Sequence, residues 1–166
     1  MKVIYAKTIL YAYRNLDAVM RQLDELVMKK ALSSMSDLSP CEAQCNNILN
    51  LTAQKDILIG LKLKTKEAVD RFSDDEKDYL DYKYFKLKPK EYYIGFDFTS
   101  RAYFRKQIRI VDKFAKRMEN AGITDDFFEK KCLSIEFFRE LLKRVKEREN
   151  NFAKQKESVS ALKVIA

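Results

Sequence analysis

The chain has 166 residues, and its 33 Lys and Arg against 25 Asp and Glu give it a formal net charge of +8. Apolar residues make up 46% of it, enough for a buried core, and the length suits one domain or two small ones. Three glycines and two prolines supply too few tight turns for a β-sandwich or a β-barrel. The absence of histidine excludes Ser-His-Asp triads, Cys-His dyads and His-ligated zinc. We expect an all-α protein with an acidic partner such as nucleic acid.

Three cysteines, Cys41, Cys45 and Cys132, bear on the compartment and on metal binding. Their odd number and low density do not fit a disulfide scaffold, so we expect a reducing, cytoplasmic compartment. Because no histidine or second cysteine pair accompanies them, we expect small buried side chains rather than metal ligands. We also expect no signal peptide and no membrane span, because charges interrupt the apolar start and no run approaches ~18 apolar residues.

The first seventy residues predict two long helices. Apolar residues recur at alternating spacings of three and four along residues 2–33, which predicts one continuous helix there. Ser39 and Pro40 begin a capping box that opens a second helix, which we expect to run to about Val69. Since the connection is short, the two helices should form an antiparallel hairpin over residues 1–70.

This hairpin is also the expected site of self-association. We expect a homo-oligomer through residues 1–70, because the apolar stripes are wider than one partner helix needs and two helices alone bury too little surface. The alternative is that the C-terminal helix of the same chain covers this surface. The stripe of the first helix consists of Ile9, Ala12, Leu16, Val19, Leu23 and Leu26.

Residues 71–122 predict a compact helical unit that begins acidic and becomes aromatic. Ser73 and the three acidic residues after it form a capping box that opens a helix through Phe85. Pro89 favours the first turn of a short helix, which should end at Gly95. Most of the dense aromatic residues should form the core of this unit. Those expected nearest the surface are Tyr92, Tyr93 and Tyr103.

A basic helix is predicted next, over residues 101–120. Thr99 or Ser100 caps its start, and Gly122 ends it. Spacings of four and three place its apolar residues on one inward face. That predicted face consists of Phe104, Ile108, Val111, Ala115 and Met118.

The C-terminal part predicts two further helices over residues 123–149. Thr124 opens a short helix, and Ser134 caps a longer one that ends near Glu149. Residues 150–166 have weak apolar periodicity, so we expect this tail to fray. The expected architecture is therefore a long N-terminal hairpin, a helix-turn-helix unit and C-terminal helices.

Positive charge is concentrated in residues 83–117, which hold 11 Lys and Arg against 3 Asp and Glu. The difference of +8 equals the net charge of the whole chain, so the charges outside this segment cancel. Such a segment predicts a nucleic-acid surface, and the alternative is an ordinary solvated helix face. The order of the elements here, a helix, a short helix and a capped basic helix, is that of a helix-turn-helix unit.

Residues 73–85 followed by residues 88–118 resemble region four of sigma factors. In that family an acidic capped helix ends in an aromatic pair, here Tyr84 and Phe85. A short helix follows, and a Ser/Thr turn then leads into a basic helix. The matching turn and basic start are Phe98-Thr99-Ser100-Arg101-Ala102-Tyr103-Phe104-Arg105-Lys106. The stretch is also similar to phage-encoded transcription regulators of the autolysin-regulator type. No segment resembles region two, so we do not expect a self-sufficient sigma factor.

By this resemblance the basic helix enters the major groove of DNA with its N-terminal residues. The residues implied at base edges and phosphates are Ser100, Arg101, Arg105 and Lys106, and those implied at flanking phosphates are Lys88, Lys90 and Arg109. The chemistry agrees, because arginine makes paired hydrogen bonds to guanine and lysine neutralises phosphate.

We therefore expect a sequence-specific DNA-binding transcriptional regulator of phage or mobile-element origin. Double-stranded DNA is the expected partner, and RNA polymerase is a further candidate. The alternative is a helical protein–protein interaction module without DNA binding. We expect no enzyme activity and neither cofactor nor metal, since the sequence has no glycine-rich phosphate loop, metal cluster or isolated carboxylate pair.

Overall fold

The computed structural model describes residues 1–33, 41–95 and 101–164, with side chains as far as residue 151. Helices account for most of these residues and no strand occurs among them, which confirms the all-α prediction. The elements are α1 (Val3–Tyr13), α2 (Leu16–Ser33), α3 (Cys41–Asp70), α4 (Asp74–Leu80) continued by a π-helical turn (Asp81–Phe85), a 3-10 turn (Lys90–Tyr93), α5 (Arg101–Asn120), α6 (Asp125–Phe127) continued by a π-helical turn (Phe128–Cys132), and α7 (Glu136–Val164).

The prediction of one helix over residues 2–33 is wrong, because the chain breaks at Arg14 and Asn15. The Asn15 carbonyl accepts the Val19 N–H at 3.0 Å, so Asn15 is the N-cap of α2, a position that favours asparagine. The helix α1 packs against α5 and α7, whereas α2 packs along α3. The two helices therefore pack mainly against different neighbours.

The helices α2 and α3 form an antiparallel pair. Lys55 Nζ lies 2.6 Å from Asp24 Oδ1, and Lys62 Nζ lies 2.5 Å from Asp17 Oδ1. The lysine that comes later in the chain pairs with the aspartate that comes earlier, as expected for two antiparallel helices. The bounds of α3 agree with the predicted second helix to within one residue, while Ser39 and Pro40 of its predicted cap lie outside the described residues.

The core is centred on α1, which is buried on most of its circumference although it has only 11 residues. Tyr5 stacks on Phe128 with ring centroids 4.4 Å apart, and Tyr11 meets Tyr84 edge-on at 4.7 Å. These rings join α1 to the turns that follow α6 and α4. The buried cluster therefore draws on all three predicted segments, and the division of the chain at residues 70 and 122 stays a prediction.

Three predicted helix signals are confirmed in the second half. The Ser73 N–H donates to the Glu76 carboxylate at 3.1 Å in the predicted capping box, and Gly122, two residues after the end of α5, adopts a left-handed φ of 84°. Thr124 caps α6, since its side chain accepts the Phe127 N–H. The last helix, α7, continues to Val164, beyond its predicted end near residue 149.

The prediction that all three cysteines are buried is wrong for Cys41 and Cys45, which are exposed on the first turns of α3. That end of α3 lies beyond the core, whose first residue on this helix is Leu58. Cys132 is buried as predicted, and desolvation raises the pKa of its thiol to about 12.

Candidate nucleic-acid interface

The inward face of α5 differs from the predicted one. Val111, Ala115 and Met118 are buried as predicted, but Phe104 is 54% and Ile108 64% exposed. The remaining buried residues of the helix are Tyr103, Ile110 and Phe114. These three recur at spacings of seven and four, so the apolar spacing alone does not select them. Packing does, because the Tyr103 ring lies 4.7 Å from that of Tyr79 in the core.

Three arginines of the predicted site form a ridge along the exposed face of α5. Arg101, Arg105 and Arg109 follow one another at intervals of four residues, so they lie on the same side of the helix. All three are exposed, and within the described part of the chain none of them is in an ion pair. We call these residues the arginine ridge. Ser100, predicted beside it, lies outside the described residues.

The lysines near the ridge make contacts within the protein. Lys106 Nζ lies 3.7 Å from Asp75 Oδ2, and Lys113 Nζ lies 2.8 Å from Glu76 Oε2. Both acids belong to the first turn of α4, so these pairs join α4 to α5. A groove of about 500 Å³ lies between the start of α4 and the first turns of α5. Its lining residues are Ser73, Asp75, Glu76, Ala102, Arg105, Lys106, Arg109 and Ile110.

Lys88, which was predicted to contact phosphate, is held by two groups of its own chain. Its Nζ lies 2.5 Å from Asp78 Oδ1 and 3.9 Å from the centroid of the Tyr92 ring. The hydrogen bond to Asp78, and then that to Tyr92, raise the pKa of the Lys88 ammonium. Lys90 is exposed at the start of the 3-10 turn.

Arg117 has a structural role that the charge count did not reveal. Its Nη1 donates to the Ala68 carbonyl at 2.9 Å and its Nη2 to the Arg71 carbonyl at 3.0 Å. The guanidinium also lies 4.1 Å from the centroid of the Phe72 ring. Carbonyl groups at the end of a helix lack partners within it and attract cations, so Arg117 caps the C-terminus of α3.

A buried carboxylate organises the connection from α4 toward α5. Asp81 accepts the N–H groups of Leu87 and Lys88, each at 3.0 Å, and the Tyr93 hydroxyl also donates to it. Tyr93 is buried beside Asp81, and Tyr103 is buried against Tyr79, which corrects their predicted surface position. Tyr92 is exposed as predicted.

This role of Asp81 was missed from the sequence. Burial, and then the hydrogen bond to Asp81, raise the pKa of Tyr93. The sequence feature that could have indicated this role is an aspartate inside the aromatic run from Tyr79 to Phe85. A carboxylate in such a run has to find donors when the run is buried.

The described part of the connection, up to residue 95, contains a 3-10 turn, Lys90–Tyr93, at the place where the region-four resemblance implies a short helix. It is followed by Gly95, whose φ is 92°. No described helix is both long and apolar enough to span a bilayer. Among the same residues, no three Cys, Asp or Glu side chains are grouped in a way that could hold a metal ion.

Comparison with models of protein families, with curated proteins and with solved structures yields no match to this chain.

Proposed function

We propose that the exposed face of α5 binds double-stranded DNA and that the protein is a sequence-specific transcriptional regulator. The observation that carries the proposal is the arginine ridge, three exposed guanidinium groups on consecutive turns of one helix. Four other basic residues of the 11 in residues 83–117 have partners within the protein. The ridge therefore supplies part of the positive charge that is available to an outside partner, and Lys86, Lys90 and Lys116 are exposed as well.

The chemistry of this face suits the major groove. An α-helix fits that groove, and an arginine on it can make two hydrogen bonds to one guanine. Phe104 and Ile108 flank the ridge and are exposed, and apolar side chains in that position can contact the methyl group of thymine. We assign Arg101 and Arg105 to base edges, with Ser100 beside them by the resemblance to region four.

We assign the phosphate contacts to basic residues that are exposed and that have no strong partner within the protein. Arg109 and Lys90 are exposed and suit flanking phosphates. Lys106 is in a long, exposed pair with Asp75, which a phosphate could replace. Lys88 is the weakest candidate, because contact with phosphate would break its short hydrogen bond to Asp78.

The alternative is a protein-interaction module, and the exposed apolar pair of α5 favours it. Phe104 and Ile108 would suit the apolar side of a partner helix as well as a thymine methyl group. The arginine ridge would then recognise acidic residues of that partner, RNA polymerase being one candidate. This reading predicts no affinity for duplex DNA at any salt concentration.

Fluorescence anisotropy of a labelled random-sequence duplex, measured across a salt series, distinguishes DNA binding from the protein-interaction module. We expect binding that weakens linearly in the logarithm of salt concentration. Arg101→Ala with Arg105→Ala should lower affinity for a selected site by about 1–3 kcal/mol per lost base contact. Lys90→Ala should weaken all sequences alike and reduce the salt slope by about one.

The matched control is Arg139→Ala with Arg144→Ala, which removes the same charge from exposed positions of α7. If both double variants lose the same affinity, binding follows net charge and α5 is not the reader. Absence of binding at low salt, with the circular dichroism unchanged, would favour the protein-interaction module.

A further inference from the structure

A second cluster of basic side chains lies where α1 and α7 meet. The Lys7 Nζ on α1 lies 2.5 Å from the Glu149 Oε2 on α7. One turn after Lys7, the ring of Tyr11 lies with its centroid 5.8 Å from the guanidinium of Arg148. Two cations and one carboxylate thus share this junction, so Glu149 offsets only one of the two positive charges.

The π-helical turn after α4 adds two lysines to this junction. Tyr84 of the turn meets the Tyr11 ring at 4.7 Å, and Lys83 precedes Tyr84 in the sequence. Lys83 is half-buried, and within the described residues it is in no ion pair. Burial lowers the pKa of the Lys83 ammonium, Glu149 raises it, and three nearby cations lower it further, so the positive charges are only partly offset. The four cations, which we call the junction cluster, are Lys7, Lys83, Lys86 and Arg148.

The backbone at Lys86 is an independent sign that this lysine is present for its side chain. Its φ is 52°, a left-handed conformation in which glycine is the usual residue at the end of a helix. Gly95 and Gly122 have such a φ elsewhere in this chain, and Lys86 is the one described residue other than glycine that has it. Because a Cβ crowds the backbone in this conformation, the fold itself favours glycine here. What lysine adds is an exposed ammonium group.

The charge balance of the junction indicates which ligand suits it. Four cations and one carboxylate leave an excess of three positive charges. Another carboxylate would offset one of them, whereas a phosphate monoester carries about two negative charges at neutral pH. A guanidinium donates paired hydrogen bonds to phosphate oxygens, and an ammonium acts on them as a point charge. The cluster contains both kinds of group.

We propose that the junction cluster binds the terminal phosphate or the pyrophosphate group of a small molecule. Arg148 and the two lysines of the π-helical turn donate to the phosphate oxygens, while Lys7 stays paired with Glu149. Glu149 also attracts Lys83, so its carboxylate competes with the ligand. The proposal does not depend on DNA binding by α5, because no member of the cluster belongs to that helix.

Isothermal titration calorimetry of the full chain with pyrophosphate at low salt tests the proposal. We expect saturable binding. Lys83→Met should weaken it about tenfold, the effect of losing one charge-assisted contact, and should preserve helicity because methionine retains the apolar stem. Lys86→Gly should weaken it by a similar factor and raise the Tm, because glycine suits the left-handed backbone. The matched control is Lys29→Met, which removes the same charge from an exposed position of α2 and should leave the affinity unchanged.

Two further variants separate this site from the proposed DNA surface. Glu149→Gln removes the competing carboxylate and should strengthen pyrophosphate binding about two- to fivefold. Arg101→Ala with Arg105→Ala should leave pyrophosphate binding unchanged and lower the affinity for duplex DNA alone. Pyrophosphate binding at the cluster in a protein that binds no DNA would support this site and reject the proposed function of α5.

Three results would overturn the proposal. One is the absence of pyrophosphate binding to the wild-type chain, and another is an equal loss of affinity from Lys83→Met and Lys29→Met, which would show binding by net charge. The third is a chain that binds duplex DNA but not pyrophosphate and in which Lys83→Met weakens DNA binding. The cluster would then contact the DNA backbone rather than a small molecule.

Discussion

The helices α1 and α3 are both rich in apolar residues, but they are stabilised differently. The 11 residues of α1 are surrounded by α5, α7 and the turn after α4, and six of them are buried. The 30 residues of α3 bury only four side chains, all in the second half of the helix. A short helix at the centre thus contributes more to the core than a long one at the edge. Burial depends on the number of neighbouring elements, and hydrophobicity alone does not determine it.

The largest difference between the two regions should appear on truncation of an apolar side chain. Phe114→Ala should lower the free energy of unfolding by about 3–5 kcal/mol, because this fully buried side chain leaves a cavity in the core. Leu49→Ala on the exposed part of α3 should change it by no more than about 0.5 kcal/mol. Urea denaturation of both variants measures the contrast, and similar losses would show that the first half of α3 is packed after all.

A buried polar group should give the next largest effect. Asp81→Ala leaves the N–H groups of Leu87 and Lys88 without their acceptor and should cost about 1–3 kcal/mol. Asp81→Asn keeps an acceptor of the same shape and should cost less. Asp112→Ala on the exposed face of α5 serves as the control. If all three variants unfold at the same urea concentration, the buried carboxylate does not stabilise this connection.

The ion pairs of the hairpin should contribute less. Lys55→Ala and Lys62→Ala remove the two pairs that join α3 to α2, and each should cost about 0.2–1 kcal/mol because their partners are exposed to solvent. High salt should shrink this loss, whereas it should leave the cost of Phe114→Ala unchanged. Thermal unfolding with and without added salt makes the comparison, and a loss that salt does not alter would indicate packing by the lysine stems.

The smallest effect concerns the junction of α4 and α5 and depends on pH. Burial raises the pKa of Glu76, but the hydrogen bonds from Lys113 and Ser73 outweigh it, so the net pKa lies below its ordinary value of 4.5. The stabilisation is therefore present above that value and is lost as the pH falls through the lowered pKa. Glu76→Gln should flatten the acid side of a plot of Tm against pH, whereas Glu91→Gln, at an exposed control position, should not.

Most helix boundaries could be predicted from the sequence because they depend on neighbouring residues. The capping box at Ser73, the cap at Thr124 and the stop at Gly122 each depend on groups within four residues. The break at Asn15 was not predicted, since the apolar spacing continues across it without a proline or glycine. The spacing does not show that α1 and α2 pack mainly against different helices.

The candidate site was predictable in part. The sequence concentrates positive charge in residues 83–117, but it does not distinguish a lysine that pairs with Asp78 or Glu76 from an arginine left exposed. Those acids are 10 and 37 residues from their lysines, so the pairs arise from tertiary contacts.

Local chemistry in the sequence determined the all-α class, most helix ends and the location of the positive charge, because caps, spacing and composition act over a few residues. Tertiary structure decided which residues these patterns expose. It turned Tyr103 inward and Phe104 outward on α5, placed Arg117 at the end of α3, and left Cys41 and Cys45 in solvent. The physical reason is that an apolar stripe shows only that one face of a helix is more stable when it is removed from water. Whether another helix covers that face depends on elements that are distant in the chain.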